Sequence, residues 1–356
     1  MGKRKTIMLI VTYSCNLRCT YCYEPKVSTS QMSEESAREY ITRTVESLGD
    51  EYSEFEVQFM GGEPLLSYPL IRNQAEWIWS TPFKVKPVTL FAATNGTLLN
   101  EEMKSWFSEN KERICLGLSY DGDKTMQDTN RSQSSRNVDL EYFVRTWPGQ
   151  SVKMTVSPHT VNTFSAGVQH LHKVGFKNIS AELAQGKFVK WEQHHLNELH
   201  KQLSELVEFY LAHSEIPPVS MLQLNTAALN YDGTQCKRCS CGEDMVCIDT
   251  DGTEYACHMF SPVATTKERA ALSHNINFND YEALTPEPCK NCSLQDFCTN
   301  CYGMGYSYYE DIAFVSPFIC SATKIKFLNA CSLALQHQET DQATKEQISN
   351  ILKEFK

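Results

Sequence analysis

The N-terminal region lacks any long apolar run. Its longest wholly apolar stretch is Ile7 to Val11, five residues. A membrane-spanning helix needs roughly 20, and a secretory signal needs an apolar segment of about 7–15. The expectation is a cytoplasmic protein with no membrane partner. Excess positive charge is lacking too: 33 Lys and Arg stand against 43 Asp and Glu, a net charge of −10. A chain of this sign repels phosphate backbones and anionic lipid, which argues against nucleic acid as a partner. Charged residues make up only 21%, so the chain is no disordered polyampholyte. The long middle is also nearly free of cysteine, with Cys115 alone between residues 22 and 236.

Elsewhere cysteine is abundant. The chain has 15 in 356 residues, three within the first 22 and eleven beyond residue 235. A disulfide framework suits a short secreted chain with an even count. This chain is long, has an odd count and shows no export signal, so clustered thiols in a reducing compartment suggest metal ligation. The distribution reads as two metal-bearing regions separated by an ordinary scaffold.

The length gives a prior of about two domains. Strands are predicted at Ile7–Val11, Phe55–Phe59, Val88–Ala93, Ile114–Leu118, Val152–Val156 and Ile179–Leu183. Helical patterns follow each. Ser33 precedes Glu34 and Glu35, an N-cap with acids in the first turn, and Ala37, Ile41, Val45 and Leu48 follow at helical spacing. Further helices are predicted over 70–79, 101–108, 138–146, 164–174 (stopped by Gly175) and 192–212. Alternating strands and helices imply a parallel sheet with helices outside it. Six units are too few for a closed eight-stranded barrel, so the expected α/β fold is an open, partial (β/α)6 TIM barrel over residues 1–225. Chemistry then belongs at the strand C-terminal ends. Pro217-Pro218 marks a boundary. A small Cys-rich, metal-organised domain is expected over 226–325, with an Asp249–Tyr255 β-hairpin, and a polar helical tail over 326–356, its helix starting near Lys324.

The first cysteine loop reads Cys15-Asn-Leu-Arg-Cys19-Thr-Tyr21-Cys22, or C-x3-C-x2-C. Three thiolates leave a tetrahedral zinc site one ligand short. A 4Fe–4S cluster held by three Cys keeps one iron open for another ligand. On spacing alone, a zinc site completed from elsewhere and an iron–sulfur cluster both stand.

The C-x3-C-x-aromatic-C loop after the first strand resembles the signature of the radical S-adenosylmethionine (SAM) superfamily. Gly61-Gly62-Glu63-Pro64, after the second strand, is similar to that family's GGE segment, which binds the amino group of SAM. Thr94-Asn95-Gly96 and Ser119-Tyr120-Asp121-Gly122 resemble segments after later strands. Ser119 and Arg131 match positions that contact the SAM ribose and carboxylate, and Leu183 the adenine-contacting position. The resemblance covers residues 7 to about 215. It implies that SAM chelates the open iron and that an electron from the reduced cluster cleaves SAM to a 5′-deoxyadenosyl radical, which abstracts hydrogen from an unactivated C–H.

Downstream the order is Cys241-x5-Cys247-x9-Cys257, then Cys289-x2-Cys292-x5-Cys298-x2-Cys301-x18-Cys320. Eight thiols suit two four-ligand sites, and paired C-x2-C is also zinc-ribbon grammar. With the N-terminal half, the pattern resembles the SPASM extension of radical SAM peptide maturases, which holds two auxiliary 4Fe–4S clusters. Matching by position gives one cluster to Cys241, Cys247, Cys257 and Cys301, and the other to Cys289, Cys292, Cys298 and Cys320. Two residues separate Cys298 from Cys301, where three is commoner. Cys236 and Cys239 are spare thiols able to replace Cys241, and Cys115 and Cys331 suit structural roles.

The resemblance therefore implies three 4Fe–4S clusters, SAM, a peptide or protein substrate and an electron donor such as flavodoxin or ferredoxin. The leading expectation is a maturase of a ribosomally made peptide that forms an oxidative C–C or thioether crosslink. Formylglycine formation in sulfatases is the runner-up, and a non-catalytic zinc scaffold is the alternative of another class. In the sulfatase-maturing branch an Asp base commonly follows the last Cys of the hairpin. Here His258 takes that position, as a candidate base or a bystander. No separate peptide-recognition module is expected before residue 7, so a precursor peptide would need a stand-alone recognition protein as partner or would bind the barrel mouth and the Cys-rich domain directly.

Overall fold

The computed structural model describes residues 2–24, 28–186, 188–225, 229 and 239–354; Cys236 lies outside them. Strands and helices alternate in the first part: β1 (Lys3–Thr12), α1 (Glu34–Glu46), β2 (Tyr52–Gly61), α2 (Tyr68–Ser80), β3 (Lys86–Pro87), β4 (Leu90–Thr94), α3 (Glu101–Glu109), β5 (Ile114–Leu118), α4 (Lys124–Asn130), α5 (Leu140–Thr146), β6 (Val152–Val156), α6 (Phe164–Val174), β7 (Ile179–Leu183) and α7 (Gln193–Ala212). The Cys-rich part holds β8 (Met245–Ile248), β9 (Glu254–Tyr255), α8 (Lys267–Leu272), α9 (Tyr281–Leu284), α10 (Tyr302–Tyr309), α11 (Pro317–Gln336) and α12 (Gln342–Glu354).

The local signals act where the sequence places them. Ser33 caps α1 through a 3.0 Å bond from the Ser36 N–H, and Ala37, Ile41 and Val45 bury its inner face. Phe55, Val57 and Phe59 of β2 are wholly buried, while Glu56 and Gln58 between them are not, as the period-2 pleat requires. Gly175 ends α6 at φ 117°.

The chain forms two compact units, each assembled from several segments. The first comprises residues 1–119, 131–150 and 239–279; the second comprises 120–130, 151–238 and 280–356. The first unit carries a sheet in the order β5-β4-β2-β1-β8-β9, with β3 beside β2. Every pairing is parallel except β8 with β9. The expected hairpin is present, but its first strand begins at Met245 and also pairs in parallel with β1, Thr6 to Leu9 against Met245 to Ile248. A four-residue strand carries too short an alternation to announce a partner more than 200 residues away.

The second unit holds the parallel pair β6–β7, in register from Val152↔Ile179 to Val156↔Leu183. α11 packs on α7, where Ser204 Oγ donates to Asn329 Oδ1 (3.1 Å) and Asn329 Nδ2 donates to His200 Nδ1 (3.0 Å). The helix expected from Lys324 is α11, which starts earlier, and α12 follows it. Ser316 caps α11 and Pro317 occupies its first turn, and it runs unbroken across residue 325. By length and hydropathy α11 is the one candidate membrane span among the described residues; half of it is buried within the protein, including Lys326 and Asn329.

Candidate functional site

Parallel strands deliver their following loops to one edge, and in the first unit those loops bind one another. The Gly62 N–H donates to Thr12 O and the Glu63 N–H to Ser14 O, both at 2.9 Å. Gly61 lies at φ 134°, and a Cβ there would stand 2.0 Å from Thr12 O. One on Gly62 would stand 2.3 Å from Ser14 O. The immediate demand on both glycines therefore comes from the end of β1, where two backbones touch.

Glu63 is 1% exposed and works as a hub. Its Oε1 accepts from Thr94 Oγ1 (2.7 Å) and the Leu65 N–H (3.1 Å), and its Oε2 accepts from the Asn95 N–H (2.8 Å). Pro64 follows at the first position of a short turn that Glu63 caps. Burial pushes the Glu63 carboxyl up, against the pull of those three donors and of Arg131. The loop after β5 is tied in by the Ser119 N–H, 2.8 Å from Thr94 O.

The Cys loop is held from two sides. Asn95 Nδ2 donates to Asn16 Oδ1 at 2.9 Å, Asn16 Nδ2 donates to Thr97 Oγ1 at 2.8 Å, and Thr97 Oγ1 donates back to Asn95 Oδ1 at 2.7 Å. On the other side the Arg18 N–H donates to Ser132 Oγ at 2.8 Å, and the Arg131 guanidinium lies 5.5 Å from the centre of the Tyr21 ring. Leu17 is buried, whereas Cys15, Cys19 and Cys22 are each partly exposed. Asn16, Thr97 and Ser132 escaped the sequence reading because their role is to bind the loop, which no spacing announces.

The β8–β9 hairpin meets the same loop. Tyr13, just before it, donates its hydroxyl to the Asp249 carboxylate at 2.7 and 2.8 Å. Tyr23, just after it, lies 5.7 Å ring to ring from His258. Both ends of the Cys loop are thus attached to the segment that carries Cys247 and Cys257. Burial and the Asp249 contact push the Tyr13 phenol up, and burial raises Asp249. Exposed Cys239 and buried Cys241 stand 3.3 Å apart, sulfur to sulfur.

The remaining candidates belong to the second unit. Leu183 ends β7 and is buried. Cys289 and Cys292 share a turn, the Cys292 N–H donating to Cys289 O at 3.2 Å. Cys298 follows a short turn, Cys301 precedes α10, and Cys320 lies in the first turn of α11. The set Cys241, Cys247, Cys257 and Cys301 is therefore divided between the units. Within the second unit Asp121 is fully buried, accepting from the Thr155 N–H (2.8 Å) and Asn130 Nδ2 (3.0 Å). It fixes the segment that leads to Arg131.

Among the described residues no group of three or more His, Cys, Asp or Glu side chains forms a metal-ion site. A cluster that takes one thiolate per iron needs its thiols spread more widely than a single ion does. Cys15, Cys19 and Cys22 are three partly exposed thiols on one anchored loop; as a donor set they suit a 4Fe–4S cluster that keeps one iron open. The other thiols differ in reactivity. Burial pushes Cys115 and Cys331 up to about 12, and Cys247 well above its usual value. Because the thiolate is the reacting form, iodoacetamide at neutral pH should label Cys239 in reduced, cluster-free folded protein well before these three. Labelling of Cys115 and Cys331 should accelerate as pH rises toward 12. Peptide mass mapping over time checks this, and early labelling of Cys115 would contradict it.

Comparison with known proteins places this arrangement. The Clostridium perfringens cysteine-type anaerobic sulfatase-maturating enzyme is 23% identical over 350 residues, covering 87% of this chain and 91% of that one. An uncharacterized Methanocaldococcus jannaschii protein is 30% identical over 118 residues, 33% of this chain and 39% of its own length. The chain thus spans well under half of some relatives it matches. The fold is that of anSMEcpe solved with AdoMet and the Cp18Cys peptide: TM-score 0.69, 19% identity, 99% of this chain and 100% of that one. It is also that of Streptococcus suis SuiB bound to its precursor peptide SuiA: TM-score 0.61, 14% identity, 90% and 76%. The likeness takes in the Cys-rich C-terminal part as well as the strand–helix part. The family model of the radical SAM superfamily matches residues 9–193, a little over half of the sequence, and the chain belongs to that superfamily.

Proposed function

We propose that this protein is a maturase that abstracts hydrogen from a side-chain carbon of a ribosomally made peptide and closes an oxidative C–C or thioether crosslink. In this reading residues 1–225 are the SAM-binding partial barrel, 226–325 the SPASM domain and 326–356 a helical tail. Membership of the superfamily implies a 4Fe–4S cluster and SAM. Cys15, Cys19 and Cys22 would hold that cluster, and Cys241, Cys247, Cys257 and Cys301, with Cys289, Cys292, Cys298 and Cys320, would hold two more. When bound, the reduced cluster and SAM supply a radical able to take hydrogen from an unactivated C–H.

The chain's own residues orient and exclude. Glu63 locks the loops after β2 and β4 together, Arg131 offers a cation for the SAM carboxylate beside Tyr21, and Asn95, Ser119 and Leu183 complete the cofactor-binding set. His258, next to Tyr23, would accept the proton that crosslink closure releases, and the surplus electron of that closure would pass to one of the two further clusters. The observation that carries this reading is the attachment of the Cys loop, at both ends, to the hairpin of Cys247, Cys257 and His258. A peptide substrate is supported by the solved structures of similar fold, anSMEcpe with the Cp18Cys peptide bound and SuiB bound to its precursor peptide SuiA. A flavodoxin or ferredoxin would supply the electron.

Sulfatase maturation is the second reading, favoured by the end-to-end match to the C. perfringens enzyme. Coexpression with a small peptide encoded beside the gene separates the two. Crosslinking predicts a loss of two hydrogens, about 2 Da, resistant to thiol reductant. Unchanged peptide mass with formylglycine in a coexpressed sulfatase would give the answer to the second reading.

A further inference from the structure

We infer that Ser132 is a positioning residue that sets the Cys loop for SAM, through the hydroxyl it offers to the Arg18 backbone. The inference rests on the reading of that loop as the SAM-cluster site. Among the described residues only three non-glycine residues have positive φ, and two are adjacent: Ser132 at 55° and Gln133 at 54°. The third, Glu310, caps α10, an ordinary place for this conformation. The chain leaving α4 also has reason to turn left-handed, but a helix stop ordinarily uses Gly, or sometimes Asn, in one such position. Here Ser and Gln hold it in succession, each against the steric preference of an L-residue.

Such strain persists where surrounding contacts over-determine it, and the contacts lead to the Cys loop. Arg131, 8% exposed, reaches the Tyr21 ring. Ser132 Oγ takes the Arg18 N–H at 2.8 Å, one residue before Cys19. The Ser134 N–H closes the turn on Arg131 O at 3.2 Å. One strained turn therefore sets both the candidate carboxylate-binding cation and the backbone between two candidate ligands. A glycine at position 132 would relieve the strain and end the helix more cheaply, but it would leave Arg18 without this acceptor.

That opposition provides the test. Anaerobically reconstituted wild type, Ser132→Gly, Ser132→Ala and Gln133→Gly are compared by thermal melting, iron content, equilibrium SAM binding and the EPR spectrum of the reduced protein with and without SAM. Ser132→Gly should melt no lower than wild type yet bind SAM about five- to tenfold more weakly, as expected for one lost hydrogen bond, with a smaller SAM-induced change in EPR. Ser132→Ala should show the same SAM defect. Gln133→Gly, which keeps the hydroxyl, should bind SAM as wild type does and melt higher. Loss of the loop's iron from Ser132→Gly at unchanged melting temperature is the same result in stronger form. Wild-type SAM affinity and EPR in both Ser132 variants would overturn the inference. A wild type that takes up no iron or binds no SAM would instead overturn the reading on which it rests.

Discussion

Replacing Cys15, Cys19 and Cys22 together by Ala should remove about four of roughly twelve irons and abolish SAM cleavage. On the proposed assignment the irons that remain, about eight, would belong to the downstream thiols. Those sites would be fully ligated by protein and would leave no iron open to SAM. The variant should still fold, because the three thiols are partly exposed and the loop is held by other atoms: Asn16 to Asn95 and Thr97, the Arg18 N–H to Ser132, and buried Leu17. Iron analysis together with chromatography for 5′-deoxyadenosine reads both effects. Persistent cleavage would place the active cluster on other residues.

Glu63→Gln should cost about 3 kcal/mol of stability and most of the SAM affinity. The carboxylate accepts from three donors through two oxygens. A glutamine keeps the shape but turns an NH2 group toward one of those donors, in a place only 1% exposed. Bonds to a buried charged group are each worth about 1.5–3 kcal/mol, and an unpaired donor adds its own penalty. The loops after β2 and β4 then lose their shared anchor, and Asn95 its hold on the Cys loop. The denaturant midpoint measures the cost. Because burial raises the Glu63 pKa in the folded state, protonation adds to the stability that its hydrogen bonds give; this added part is fully present below the unfolded pKa and is lost as pH rises through the folded one. The gap between wild type and variant should therefore widen on mild acidification. A variant as stable as wild type at every pH would remove Glu63 from this role.

The strands were legible because their cores alternate at period 2, or run apolar without break as in Ile7–Val11, and turn residues bound them. The Cys loop and the glycine pair were legible because their chemistry lies in residue type and spacing. What escaped depends on contacts far apart in the chain. β8 adds to β1, and Tyr13 bonds Asp249, across 236 positions. α4 gave no clear periodicity in seven residues. Ser132 escaped for a second reason besides its distant contact: left-handed backbone is read from Gly or Asn, and here Ser and Gln adopt it.

The most direct test is to reduce the reconstituted wild-type protein with SAM and no peptide, and to assay 5′-deoxyadenosine and bound metal. The expected result is a brown, oxygen-sensitive, iron-loaded protein that releases 5′-deoxyadenosine slowly. A colourless protein that binds zinc, takes up no iron and leaves SAM intact would contradict it.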